Sequence, residues 1–208
     1  MHGPYDEVVS LGRGCQPAHQ LRRVLGIDRA HVFDWIVTTD AGLVQHIETR
    51  LQGFFLPDAL TRGARGVIVD RRTGTSFPHE TPRSGDPAEA FDIHAPRLFA
   101  LVDRWHRLVA SDRAVLFIRQ HGWNGRPRAT ALRLRAALRA AAPRLRFRLL
   151  YLTPPETAAE PDPDQPDLLF RPLAQPEPPD WRGLDPAWDA VLAECLALSP
   201  PPDPPALP

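Results

Sequence analysis

The stretch YDEVVSLGRGCQPAHQLRRVL, residues 5–25, decides the fold of this chain. Its apolar run Val8–Leu11 predicts a short buried strand, and the glycines that follow allow the backbone to turn sharply. Pro17 suits the first turn of a helix, and the apolar residues behind it recur at helical spacing. A strand, a turn and a helix therefore open the chain, and they place Cys15 at the N-terminus of that helix.

Two interpretations of Cys15 follow from this position. The unpaired N–H groups and the dipole at a helix N-terminus favour an anion, so the thiol would be acidified towards a reactive thiolate. A cysteine in such a place can equally be a small buried hydrophobe. If the site is functional, the candidate binding residues are its neighbours Gly12, Arg13, Gly14 and Gln16.

Length and composition limit the class of protein. A chain of 208 residues can form one domain with a sizeable core and needs neither disulfides nor structural metal. Its two cysteines, Cys15 and Cys195, do not make a disulfide framework, and the histidines lack zinc-site spacing, so we expect no metal and no cofactor. A net charge of zero argues against a nucleic-acid partner, and the lack of lysine excludes Schiff-base and Ser-Lys chemistry.

The sequence contains no apolar run of the kind that targets or anchors a protein to a membrane. The N-terminal residues lack the apolar core of a signal peptide, and no later run reaches the length of a membrane span. We therefore expect a soluble, cytoplasmic protein with no membrane partner. The pattern predicts neither its substrate nor its oligomeric state.

Apolar runs that alternate with helical patterns predict an α/β fold. We expect three layers, with helices on both faces of a mainly parallel sheet, in a flavodoxin-like or Rossmann-like arrangement. The run Ala30–Thr38 fits a strand or a buried loop, and we favour a strand. The expected strands are Val8–Leu11, Val32–Ile36, Ala114–Ile118 and Phe147–Leu152. Further helices are expected after a cap at Thr39 or Asp40 and at Pro87–Ala110, Pro127–Ala142 and Pro186–Leu198.

Proline-rich composition marks the expected boundaries within the chain. Residues 1–153 form the core domain with the cysteine site, and residues 154–180 form an irregular segment that has room for an edge strand at Leu168–Phe170. Residues 181–198 hold a helix that packs on the core, and residues 199–208 form a disordered tail. Between Pro57 and Pro87 we also expect irregular structure, with a short extended piece at Val67–Val69.

A cysteine nucleophile needs a base within hydrogen-bond distance. Three histidines are candidates for that base. His19 lies one helical turn after Cys15, and His79 lies in the loose segment Phe77–Glu80. His121 follows the Ala114–Ile118 strand, where ligands gather in open α/β sheets.

Two charged residues lie in apolar surroundings and need partners. Asp34 stands between Phe33 and Trp35, where an unpaired carboxylate is costly, so it either orients a histidine or accepts backbone N–H groups. Arg119 ends a buried strand and either binds an anionic group or pairs with Asp34. Trp35, Arg119 and His121 are accordingly further candidate binding residues.

Several short motifs complete the pattern: Tyr5-Asp6, Ser10-Leu11-Gly12-x-x-Cys15, Leu21-Arg22, Phe33-Asp34-Trp35, Phe77-Pro78-His79-Glu80 and Leu116-Phe117-x-Arg119. Over Tyr5–Thr153 the chain thereby resembles a bacterial family of unknown function described as papain-like cysteine peptidases. The resemblance implies that Cys15 is the nucleophile, that His79 is its base and that Asp34 orients the base.

The expected function is that of a cysteine-dependent hydrolase or acyl-transferase. Cys15 would attack a carbonyl of a peptide, an ester or a glycan-linked substrate, and the N–H groups of Gly14–Gln16 would hold the oxyanion. One alternative is a non-catalytic domain that binds an anionic sugar or phosphate at the Gly12–Cys15 turn. Another is an enzyme similar to SGNH-type esterases, with Cys15 in the nucleophile position after the first strand.

Overall fold

A computed structural model describes residues 3–122, 126–157 and 165–200. The expected disordered tail falls almost entirely on residues 201–208, which lie outside the described residues. In the described ranges, the parallel sheet consists of β1 (Glu7–Ser10), β5 (Ala114–Gln120), β6 (Arg146–Thr153) and β7 (Leu168–Pro172), in that spatial order. A small antiparallel sheet consists of β2 (Leu60–Arg62), β3 (Ile68–Asp70) and β4 (Thr75–Phe77).

Helices and strands alternate along much of the described chain. The helices are α1 (Gln16–Leu25), α2 (Asp40–Glu48), α3 (Pro87–Val109), α4 (Pro127–Ala141) and α5 (Asp185–Ala197). The predicted cap of α2 is confirmed, because the Thr39 side chain accepts a hydrogen bond from the Gly42 N–H at 2.9 Å. No helix of the described ranges has the length and apolar content needed to cross a membrane.

Strand β5 is buried along most of its length because both of its faces meet apolar residues. Val115 and Phe117 join a large core cluster that also contains apolar residues of α2, α3 and α4. Leu116 and Ile118, which point to the opposite face, join a second cluster with residues of α1 and α5. Such burial on both faces explains why β5 reads as a continuous apolar run in the sequence.

The expected strand Val32–Ile36 is wrong. These residues form consecutive turns, and the next residue, Val37, makes an isolated antiparallel bridge with Ser76. Val32, Phe33 and Ile36 are apolar because the loop they form is buried in the core, and not because they pair in a sheet. In the described ranges β1 therefore lies at an edge of the parallel sheet, whereas flavodoxin-like and Rossmann-like sheets carry strands on both sides of β1.

The segment between Pro57 and Pro87 is more regular than expected, because it forms β2, β3 and β4. Each of these strands has three residues, which is too short to show an alternating pattern. The edge strand expected at Leu168–Phe170 is confirmed as part of β7, which pairs with β6 although it lies in the Pro-rich segment.

The side chain of Arg119 joins the end of β5 to two loops. Its guanidinium donates to the carbonyl oxygen of Leu11 at 3.0 Å, to the Thr38 hydroxyl at 2.7 Å and to the Thr38 carbonyl at 3.1 Å. It also donates twice to Asp40, at 3.2 and 2.7 Å. These bonds account for the five donors of a guanidinium. Arg119 therefore pairs with Asp40 and not with Asp34, and being fully buried it has a structural role.

We predict that Arg119→Leu lowers the free energy of unfolding by about 3–5 kcal/mol, because it leaves the Asp40 carboxylate and two carbonyl oxygens without their donor. Urea unfolding measures the effect. The control is Arg171→Leu, which breaks the Arg171–Glu194 ion pair, where Glu194 is 52% exposed, and should cost less than about 1 kcal/mol. Equal losses in the two variants would contradict the structural role of Arg119.

Cys195 is a core residue of α5 and has no exposed surface. Burial raises the pKa of its thiol to about 11, so iodoacetamide at neutral pH should leave it unmodified until the protein unfolds. We predict that Cys195→Ala lowers the unfolding free energy by about 1 kcal/mol and leaves the reactivity of Cys15 unchanged. Urea unfolding and mass spectrometry of the alkylated protein test both statements, and rapid native alkylation of Cys195 would refute them.

Candidate active site

The turn between β1 and α1 brings the backbone into unusual conformations. Gly12 has a φ of 71°, and a Cβ added there would lie 2.6 Å from the Phe33 carbonyl oxygen, so only glycine fits. Arg13 also has a positive φ, 89°, which is strained for a residue with a side chain. The helix begins at Gln16, and Cys15 is its N-cap residue, as the sequence predicts.

Cys15 and His79 lie within hydrogen-bond distance of each other. The Cys15 Sγ is 3.4 Å from His79 Nε2, although the two residues are 64 positions apart in the chain. His79 belongs to a short helical turn, Pro78–Glu80, that directly follows β4, and its side chain is exposed. The small antiparallel sheet therefore delivers the histidine to the helix that holds the cysteine.

The thiol of Cys15 is not acidified in the manner expected for a helix N-terminus. Burial raises its pKa, and the negative charge of Glu80 raises it further. Glu80 is buried and forms an ion pair with Arg97. Burial and Glu80 therefore both oppose the ionisation of the Cys15 thiol.

Trp35 contacts the imidazole of His79. Its ring meets the His79 ring edge to face, with 5.6 Å between the centroids. The guanidinium of Arg22 lies 4.8 Å from the centroid of Trp35, on the same indole. Trp35 is thus placed to limit the orientations of His79, which is a different role from the expected substrate contact.

Asp34 makes its hydrogen bonds away from His79. Its Oδ2 accepts the backbone N–H of His31 at 2.9 Å and lies 3.4 Å from the guanidinium of Arg22. Burial raises the pKa of Asp34, and these donors oppose that rise. Of the two roles that the sequence leaves open for Asp34, these contacts show the acceptance of a backbone N–H group, and they do not show the orientation of His79 that the resemblance implies.

The other two candidate bases have different partners. The ring of His19 packs edge to face on Trp181 at 5.0 Å. His121 Nδ1 lies 2.9 Å from the hydroxyl of Tyr151, and burial lowers the pKa of this histidine. His79 is the one of these three whose ring nitrogen lies next to the Cys15 sulfur in the structure.

The expected binding residues around the turn have mixed roles. Gln16 is buried and links neighbouring segments, since it donates to Gln175 at 3.1 Å and accepts from Gln120 at 2.8 Å. A Cβ at Gly14 would meet no atom within 4 Å, so the space beside it is open. That space belongs to a cavity of about 510 Å³ whose lining includes Arg13, Gly14, Thr39, Asp40 and Gly122.

Sequence reasoning missed the electrostatic role of Glu80. Its position directly after His79 was a signal, because a carboxylate beside a candidate base changes the electrostatics of the site. The described residues contain no group of three or more His, Cys, Asp and Glu side chains that could hold a metal ion.

The part of the chain that builds this site is similar to a known family. No curated protein and no solved structure matches the chain. Residues 6–83 match the model of a family described as "Putative papain-like cysteine peptidase (DUF1796)". That segment includes both Cys15 and His79. The resemblance to putative papain-like cysteine peptidases that the motifs predict is thereby confirmed for residues 6–83.

Proposed function

We propose that the protein is a cysteine-dependent hydrolase or acyl-transferase in which Cys15 is the nucleophile and His79 is its base. The observation that supports this proposal best is the 3.4 Å contact between Cys15 Sγ and His79 Nε2. The contact joins two residues from different parts of the fold, and it lies where a helix begins. The match of residues 6–83 to a cysteine peptidase family points to the same chemistry.

The raised thiol pKa favours a proton transfer that accompanies the attack. Sγ bonds to the carbonyl carbon of the substrate as the thiol proton moves to His79 Nε2, and the carbonyl π electrons move onto oxygen. The imidazolium returns the proton to the leaving group when the carbonyl re-forms, which leaves an acyl thioester on Cys15. A water or another acceptor, deprotonated by His79, then attacks the thioester and releases the thiol.

The start of α1 provides donors for the developing oxyanion. The first N–H groups of an α-helix have no partner within the helix, so those at the start of α1 are candidates to bind an anion beside Cys15. Pro17 supplies no N–H, so the donors proposed for the oxyanion are the backbone groups of Gly14, Cys15 and Gln16. The positive φ values at Gly12 and Arg13 show that the chain turns sharply just before these groups.

We also propose that the scaffold of this site has three layers, with the parallel sheet in the middle. The two core clusters support this arrangement, since alternate residues of β5 contribute to different clusters. The first cluster includes residues of α2, α3 and α4, and the second includes residues of α1 and α5. Cys15 would then lie on one face of the sheet, near the ends of its strands.

The test of the proposed function uses p-nitrophenyl acetate as an acyl donor. The wild-type protein should release p-nitrophenol and carry an acetyl group on Cys15. In His79→Ala the acylation rate should fall about 10²–10⁴-fold, because the base is lost. Absorbance measures the release, and peptide mass spectrometry locates the adduct.

Two matched variants serve as controls for this test. His19→Ala and His121→Ala remove histidines that contact Trp181 and Tyr151, so they should change the rate only a few-fold. If all three variants acylate Cys15 at the wild-type rate, the proposed hydrolase loses its base and the proposal fails.

Glu80 provides a test based on pH. Because its negative charge raises the pKa of Cys15, Glu80→Gln should lower that pKa and shift the pH profile of iodoacetamide alkylation towards acid. Glu89→Gln, at an exposed position of α3, is the control and should leave the profile in place. A profile shifted towards alkali in Glu80→Gln would contradict the electrostatic role of Glu80.

A further inference from the structure

The cavity of about 510 Å³ beside Gly14 adjoins the proposed nucleophile, because Gly14 directly precedes Cys15 in the chain. We call it the turn cavity and define it by six residues that line it: Arg13, Gly14, Val37, Thr39, Asp40 and Gly74. They come from the turn between β1 and α1, from the start of α2 with the loop before it, and from the turn between β3 and β4. The volume is within the range found for small-molecule sites.

Gly14 leaves open the part of the turn cavity that lies next to Cys15 in the chain. A Cβ at Gly14 would meet no atom within 4 Å, and the φ of this glycine is not positive. Gly12 is different, because a close contact and a positive φ exclude any side chain there. A larger residue at position 14 would therefore fill space in the cavity without straining the turn.

Val37 presents an exposed aliphatic side chain to the turn cavity. The residue is 41% exposed, although its backbone is fixed by two hydrogen bonds with Ser76. The Val37 N–H donates to the Ser76 carbonyl oxygen at 2.9 Å, and the Val37 carbonyl oxygen accepts the Ser76 N–H at 2.8 Å. The side chain is thus held in a defined place where solvent and a ligand can reach it. An apolar group that covers it would remove its surface from water, which is favourable.

Thr39 adds a methyl group to the same wall. Its hydroxyl caps α2 by accepting the Gly42 N–H, and it donates to the Thr73 carbonyl oxygen at 3.4 Å. Its methyl carbon Cγ2 would lie 3.7 Å from a Cβ added at Gly74. Because the hydroxyl is engaged and Gly74 has no side chain, this exposed wall offers a ligand mainly the methyl group.

The charged side chains of the lining have partners within the protein. Arg119 also lines the turn cavity, but it has no exposed surface and it is paired with Asp40 at 2.7 Å. The carboxylate of Asp40 also attracts the guanidinium of Arg13. A charged ligand would lose its hydration and find these groups already engaged, whereas a hydrocarbon chain has no hydrogen bonds to lose.

We propose that the turn cavity binds an aliphatic acyl chain of the substrate that Cys15 attacks. The chain lies against the side chain of Val37 and the methyl group of Thr39, and it passes Gly14 to reach the carbonyl carbon at Cys15. The preferred substrates are then esters or amides of aliphatic carboxylic acids. This assignment rests on the proposed function, because it concerns the acyl group transferred to the same cysteine.

Alkylation of Cys15 tests the turn cavity without an acyl transfer. N-hexyl-2-iodoacetamide and 2-iodoacetamide share one reacting group and differ in a hydrocarbon chain. Each methylene group moved from water to apolar surroundings contributes about fourfold to affinity. The ratio of the two alkylation rates at Cys15 should therefore exceed the ratio for N-acetylcysteine by about tenfold or more. Peptide mass spectrometry measures both rates, and the ratio cancels any difference in the reactivity of the thiol itself.

Three variants locate the binding of the hexyl chain. Gly14→Leu fills the space beside Cys15, so its ratio should fall to that of N-acetylcysteine. Val37→Thr keeps the shape of the side chain but replaces a methyl group by a hydroxyl, so its ratio should fall by about threefold or more. The matched control is Ile93→Thr, since Ile93 is 56% exposed on α3 and should have no contact with the chain. Its ratio should equal that of the wild type.

The proposal is overturned if the wild-type ratio equals that of N-acetylcysteine, or if Gly14→Leu or Val37→Thr keeps the wild-type ratio. It is also overturned if Ile93→Thr lowers the ratio as much as Val37→Thr does. In the wild type, p-nitrophenyl hexanoate should acylate Cys15 faster than p-nitrophenyl acetate, and an equal or slower rate would overturn the assignment to the acyl group. If neither ester acylates Cys15, the proposed function fails, while the alkylation ratios still decide whether the cavity binds an aliphatic chain.

Discussion

The position of the site depends on one buried cation. Arg119 uses all five of its donors on Leu11, Thr38 and Asp40, which lie at the end of β1, in the following loop and at the start of α2. These bonds hold the loop that contains Trp35 against the strand that leads to Cys15. A charge in the core is tolerated because Asp40 neutralises it and every donor is satisfied. The turn that carries Cys15 is therefore stabilised by the ion pair between the buried Arg119 and Asp40.

The strands with both faces buried were predictable from sequence, because a long apolar run that begins and ends at charged residues is typical of a central parallel strand. Ala114–Gln120 is of this kind, and in Arg146–Thr153 the run Leu149–Leu152 is apolar and buried. The run Val32–Ile36 has similar composition but is a buried loop, since burial alone determines its residue types. The strands β2–β4 were not predictable, because three residues cannot display a period.

The sequence predicts only those features of the site that depend on residues close together in the chain. The glycine turn and Pro17 place Cys15 at a helix start without any knowledge of the remaining fold. The choice of His79 among the histidines required the resemblance, because its approach to Cys15 depends on the packing of the small sheet. The thiol pKa was not predictable, since it depends on burial and on Glu80, and neither is visible in the residues around Cys15.

The segment that matches the family, residues 6–83, ends before β5, the strand that pairs with β1. In the described residues β1 pairs with β5 and with no other strand, and β5 comes more than thirty positions after that segment. During synthesis on a ribosome, the cysteine and the histidine therefore emerge well before the sheet that holds β1 can close. The nascent chain then has Cys15 and His79 before β1 has its partner strand, so the chemistry proposed for them would require the second half of the protein.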